Sequence, residues 1–180
     1  QYRVLDLPGS YSLTPPTLDE AITRDFLLGR LAGEAAPEFV VCVVDATNLK
    51  LNLRLALELR DLGVPMVVAL NMSDLARGRG FRIDRTRLEQ ELGVPVVETV
   101  AVEHGGHRQL VEALERVQHP GAAAAREWRD PSFDHIQQTQ REVRRILHAI
   151  DYAEPARSAA LQRLDALVMN PVAGPVILAV

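Results

Sequence analysis

Apolar residues along this chain gather into short runs, each closed by a polar or small residue. Arg3-Val4-Leu5 leads into Asp6, Phe39-Val40-Val41-Cys42-Val43-Val44 into Asp45, Val64-Pro65-Met66-Val67-Val68-Ala69-Leu70 into Asn71, and Val94-Pro95-Val96-Val97-Glu98-Thr99-Val100 into Ala101. Nearly continuous Val and Leu, rather than clean alternation with polar residues, predicts strands covered on both faces. Between the runs, apolar positions recur at helical spacing. Leu18, Ile22, Phe26, Leu27 and Leu31 mark a helix over 18–33, and Leu51, Leu55 and Leu59, with neighbours Leu53, Leu57 and Leu62, mark one over 49–62. Segments 85–92 and 107–117 follow the same logic. The alternation predicts an α/β fold with a doubly wound, mostly parallel sheet. Ligands of such sheets bind outside the carboxyl ends of the strands, so the residues that close the runs are the first candidates for chemistry.

Two of those closures have recognisable forms. Asp6-Leu7-Pro8-Gly9 is Asp-x-x-Gly, and Asn71-Met72-Ser73-Asp74 is Asn-x-x-Asp. The first suits the far end of a nucleotide's phosphate chain: a carboxylate reaches Mg²⁺, often through water, while a glycine amide approaches the terminal phosphate with no Cβ in the way. The second can set one carboxylate against the ring N–H and exocyclic amine of guanine. Adenine lacks that pair of donors and would leave the carboxylate unpaired. Either tetrad alone also describes a turn in which Asp, Asn and Gly satisfy the local backbone. Two of them at the same predicted sheet edge favour a guanine-nucleotide site.

The remainder of the chain changes the picture less. Its 180 residues, 47% apolar and with a net charge of −4, suffice for one sizeable core and speak against a broad nucleic-acid-binding face. The lone Cys42 lies inside an apolar run and reads as a core thiol. Glu103-His104 and His107 flank Gly105-Gly106, a metal-capable string whose glycines suit a solvated turn better. Near Pro120 the composition shifts. Gly121 to Ala125 reads as a linker or short helical bridge, after which Ser132 caps a helix starting near Phe133, with Phe133, Ile136, Val143, Leu147 and Ile150 as its stripe. A second amphipathic helix is expected over 157–169. The apolar ending, Pro171 to Val180, is too short to span a membrane by itself.

Flanking strings narrow the reading to one family. Asp6-Leu7-Pro8-Gly9-Ser10-Tyr11-Ser12-Leu13, Asp19-Glu20-Ala21 with Arg24-Asp25-Phe26-Leu27, Val44-Asp45-Ala46-Thr47-Asn48-Leu49 with Asn52-Leu53, Ala69-Leu70-Asn71-Met72-Ser73-Asp74 and Leu92-Gly93-Val94-Pro95-Val96-Val97 resemble the cytoplasmic GTPase domain of the FeoB ferrous iron transporters. The string Arg163 to Pro175 is similar to the segment leading into that family's first membrane helix. The resemblance implies a P-loop GTPase fold over 1–120, a helical spacer over 121–170 and the start of a membrane helix over 171–180. It implies GTP or GDP and Mg²⁺ as ligands, with Asp6 toward the metal, Asp6 to Gly9 at the phosphates, Asn71 to Asp74 at the base, and the backbone of Ala101 and Val102 at the guanine oxygen.

By the same resemblance, the partners are guanine nucleotide, the protein's own membrane domain, small accessory Feo proteins and Fe²⁺ as transported ion, and a homo-oligomer stays open. The location is the bacterial inner membrane, with this domain on the cytoplasmic side. The chain departs from the family in lacking Gly-x-x-x-x-Gly-Lys-Ser/Thr and the threonine-bearing first switch. Those elements are expected upstream of Gln1, and the chain by itself is expected to bind nucleotide weakly and to be inactive. No glutamine follows Gly9 to orient water, so no catalytic residue is assigned. Two rival readings remain at this stage: a soluble ribosome-associated GTPase of the same fold and a nucleotide-free docking module.

Overall fold

The computed structural model describes residues 3–14, 18–116 and 130–155. Its centre is a three-stranded parallel sheet in the order β1 (Val40–Asp45), β2 (Met66–Asn71), β3 (Val96–Thr99). The register aligns Asp45 with Asn71 and Asn71 with Thr99. Three strand ends thus arrive at one edge. β2, flanked on both sides, is buried along its whole apolar length, as expected for its uninterrupted apolar run.

Helices supply the crossovers. α1 spans Leu18–Leu27, α2 Leu49–Asp61, α3 Ser73–Gly78, α4 Arg85–Leu92, α5 Arg108–Arg116 and α6 Phe133–Ala149. α2 joins β1 to β2 and packs its Leu49, Leu53, Ala56 and Leu57 into the core with Cys42, Val44, Met66, Val68 and Leu70. Leu88 and Leu92 of α4 extend that core, and α5 packs against β3 and β2. α6 begins where the sequence places it, the Ser132 hydroxyl oxygen accepting from the His135 amide at 3.3 Å. It lies on α2 and α4 and contributes Val143, Ile146, Leu147 and Ile150 to the same core. Each such fully buried aliphatic contributes about 1.5–3 kcal/mol.

Several expectations are corrected. Arg3 to Leu5 forms no strand: Val4 and Leu5 are 87% and 42% exposed. A three-residue segment with no neighbouring strand among the described residues has nothing to receive its ladder hydrogen bonds. β1 is not covered on both faces, since Val41 and Val43 are exposed while Cys42 and Val44 are buried. α1 stops well before Gly33. Gly29 (φ 68°) donates to the Phe26 carbonyl and Arg30 to that of Asp25, a left-handed glycine stop that spares a Cβ the penalty of that backbone region. Along α2 the apolar stripe is turned from the expected one, with Leu51 exposed and Leu49 and Leu53 buried. Phe133, assigned to the α6 stripe, is 73% exposed. α3 and the short 3₁₀ turn Ala46–Asn48 were not anticipated. The linker 121–125, the helix 157–169 and the tail 171–180 fall outside the described residues. Among the described residues, no helix is long and apolar enough to cross a membrane.

Candidate functional site

Asn71 ends β2, and the chain turns there through Met72, whose left-handed backbone (φ 58°, ψ 29°) starts α3 at once. The Asn71 side chain points its Oδ1 across the sheet edge, where it accepts from the Ala101 amide at 3.2 Å and from the Thr99 hydroxyl at 3.4 Å. The buried Ser73 hydroxyl donates to the Thr99 carbonyl at 3.5 Å. Asn71 and Ser73 therefore bind the tetrad to the neighbouring loop. Asp74 in the first turn of α3 remains exposed, in a place where the helix dipole favours a carboxylate. Met72 is 43% exposed.

The loop after β3 lies beside this tetrad, joined to it through the Ala101 amide. The Glu103 amide donates to the Val100 carbonyl and the Gly106 amide to the Glu103 carbonyl, both at 3.0 Å. A Cβ at Gly106 would lie 2.0 Å from the Val100 oxygen, so this loop closes only with glycine there. Ala101 and Val102 stand on its exposed side, Val102 at 95%. His104 and His107 are exposed around Gly105, and among the described residues no group of three or more His, Cys, Asp or Glu is assembled as a metal site. Cys42 is sealed in the core, and burial pushes its thiol up to about 12, which makes it a poor nucleophile.

Asp6, Leu7, Pro8 and Gly9 form an irregular, largely exposed segment rather than a strand end. Among the described residues no hydrogen bond joins them to Asn71 to Asp74, and no described side chain pairs with the Asp6 carboxylate. One free carboxylate is what a water-mediated contact to a phosphate-bound Mg²⁺ needs, so Asp6 fits that ion. Around Gly9 a Cβ would meet nothing within 4 Å. The Pro8 carbonyl accepts from the Ser10 and Thr23 hydroxyls, each at 3.3 Å.

The segment that follows is held more firmly. Ser12 donates its hydroxyl to both oxygens of Glu58 at 3.1 and 3.0 Å, the Leu13 amide donates to the same carboxylate, and Arg54 Nε reaches it at 2.8 Å. Glu58 is buried at 7% exposure, and the Leu13 side chain is fully buried. Sequence reasoning missed Glu58 and Thr99, and it placed Gly106 in a turn without marking that the loop closes on it. A charged residue set between Leu57 and Leu59 on a buried helix face was the available signal for Glu58. Nothing local marked Thr99.

Residues 1–114 match the family model described as ferrous iron transport protein B. The chain is 42% identical over 120 residues to the Fe(2+) transporter FeoB of Salmonella typhimurium, covering 64% of this chain and 15% of that protein. It thus spans about 15% of the length of that relative. Among solved structures, the FeoB G-domain from Methanococcus jannaschii superposes with a TM-score of 0.57 at 42% identity, covering 62% of this chain and 68% of that one. The cytosolic domain of the T. maritima FeoB iron transporter in its GMPPNP form gives a TM-score of 0.64 at 21% identity over 83% of this chain and 80% of that one, a likeness of fold alone.

Proposed function

The chain belongs to the ferrous iron transport protein B family, and on that premise we propose that it is the guanine-nucleotide-binding part of a Fe²⁺ transporter, acting as a GTP-operated switch on the membrane pathway. The observation that supports this reading is the bond from the Ala101 amide to Asn71 Oδ1. It fastens the base-reading tetrad to the loop whose backbone would meet the guanine oxygen, and it leaves Asp74 free to accept from the base.

In this reading Asp74 takes the ring N–H and exocyclic amine of guanine, Asn71 braces both loops, and the Ala101 and Val102 backbone lies along the base. Asp6 would hold a Mg²⁺ ion, whose chemistry when bound would be to neutralise charge on the phosphates. The Gly9 amide meets the terminal phosphate. Ser10 to Leu13 then forms the strap whose position depends on that contact, and its grip on Glu58 is the protein-side interaction that a switch has to make or break. GTP hydrolysis is a property of the whole transporter in this proposal, with the domain on the cytoplasmic side of the inner membrane. The segment 121–170, which includes α6, is the spacer toward the membrane.

The test is Asp74→Asn in the full-length transporter. GTP affinity should fall at least about tenfold while xanthine nucleotide binding improves, because an amide in place of the carboxylate reverses the hydrogen-bond demand at the base. Unchanged GTP affinity would remove Asp74 as the base reader.

A further inference from the structure

Away from the nucleotide edge, α2 and α6 enclose a cleft of about 480 Å³. That size is typical of a small-molecule pocket. Lys50 and Arg54 of α2 and Arg144 of α6 line it, with Leu51 and Val143 as apolar floor and Glu154 as the only acidic lining residue among the described residues. The concentration of positive charge stands out in a chain of net charge −4. Lys50 is moreover the only lysine in the sequence.

The pairing of these cations matters. Arg145, the next residue along α6, is held by Glu91 at 2.7 Å and Glu142 at 2.9 Å. Lys50 and Arg144 have no carboxylate partner among the described residues. Arg54 gives its Nε to Glu58, and its terminal nitrogens carry no hydrogen bond to a described residue. Three donors-only side chains therefore share one concave surface, two of them uncompensated.

We propose that this cleft binds a phosphomonoester anion, with Lys50, Arg54 and Arg144 as its ligands and the apolar floor under its organic part. A phosphomonoester carries about −1.5 to −2 charges at pH 7 and three acceptor oxygens, which suits several cations better than a carboxylate does. The guanidinium forks of Arg54 and Arg144 match phosphate oxygens in pairs, and Lys50 acts as a point charge. The phosphate of a free metabolite and that of a lipid headgroup present the same chemistry.

The experiment is a calorimetric titration of the protein with glycerol 3-phosphate at low ionic strength, beside sedimentation with phosphatidylcholine vesicles containing phosphatidic acid. Saturable binding is expected, weakened by about tenfold or more in each of Lys50→Glu and Arg144→Glu. Arg87→Glu makes the same charge change on exposed α4 outside the cleft and should leave binding unchanged. Glycerol 3-phosphate binding with this pattern assigns a soluble ligand, and vesicle binding alone with the same pattern assigns a lipid headgroup. No saturable binding of either probe, or equal loss in Arg87→Glu, overturns the site. Lys50→Gln and Arg144→Gln give the same comparison should a charge reversal disturb folding. GTP affinity of the full-length transporter carrying these substitutions is not expected to change, so failure here is distinguishable from failure of the nucleotide reading.

Discussion

Ser12 and Glu58, 46 residues apart, meet in the interior: the Ser12 hydroxyl donates to both oxygens of a carboxylate that also takes the Leu13 amide and Arg54 Nε. A buried carboxylate is tolerated only when its charge and lone pairs are satisfied, and here all three donors converge on it. The strap that follows Asp6 to Gly9 is thereby fastened to α2 by one side chain.

Glu58→Ala should lower folding stability by about 2–4 kcal/mol, since it leaves an amide without its acceptor and removes the partner of Arg54. Ser12→Ala, which deletes one neutral donor to Glu58 and the acceptor of the Thr14 amide, should cost about 1–2 kcal/mol. Urea unfolding with an unchanged slope checks both values. Amide hydrogen exchange at Leu13 adds a local readout, and it should accelerate in Glu58→Ala more than in Ser12→Ala.

Two glycines should behave oppositely. Gly106→Ala places a Cβ against the Val100 carbonyl, so the loop has to open, at a cost of about 1–3 kcal/mol. Gly9→Ala meets open space and should change stability by less than about 0.5 kcal/mol. In the full-length transporter, thermal unfolding and nucleotide titration separate the two. Gly106→Ala should lose both stability and guanine affinity, whereas Gly9→Ala should lose only affinity for the triphosphate.

Tyr152 carries a buried hydroxyl with no hydrogen-bond partner among the described residues, beside the Phe81 ring at a centroid distance of 6.1 Å. Tyr152→Phe removes an unsatisfied group and keeps the ring. Stability should stay the same or rise by up to about 1 kcal/mol, as measured by chemical denaturation. A marked loss would mean that the hydroxyl has a partner.

High pH should unfold the protein through the same region of titration. Burial raises Cys42 to about 12, and burial, followed by the negative charges of Glu154 and Asp45, raises Tyr152 to about 12. A group whose folded value exceeds its unfolded one stabilises fully below the unfolded value and loses that contribution as pH climbs toward the folded value. Unfolded Cys and Tyr ionise near about 8.5 and 10, so stability should decline from about pH 8.5 upward toward about 12. Cys42→Ala combined with Tyr152→Phe should flatten that decline in pH-dependent urea midpoints. Iodoacetamide at pH 8 should label Cys42 only in urea.

The legibility of the fold varied from element to element. The β2 run and α4 were readable because their local pattern and their environment agree, and Ser132 marked the start of α6 through a contact only three residues long. Val41 and Val43 misled, since a valine run looks the same whether or not a layer covers its second face. Arg3 to Leu5 misled for a related reason: a strand needs a neighbour, and the run contains no information about one. Leu51 and Phe133 show the limit of helical periodicity, which gives a stripe but not which edge of it meets the core.

For the site, residue types and their spacing were enough to bring Asn71, Asp74, Asp6 and Gly9 forward as a guanine-nucleotide pattern, and with the flanking strings enough to name the family. Their relation to one another was not there to be read. Oδ1 of Asn71 chooses the Ala101 amide 30 residues away, and Glu58 chooses Ser12 across 46. Periodicity and motif spacing are set by local backbone geometry and survive in one dimension. The partners of a buried polar group are set by which elements the sheet register and core packing bring together, and only the tertiary structure decides that.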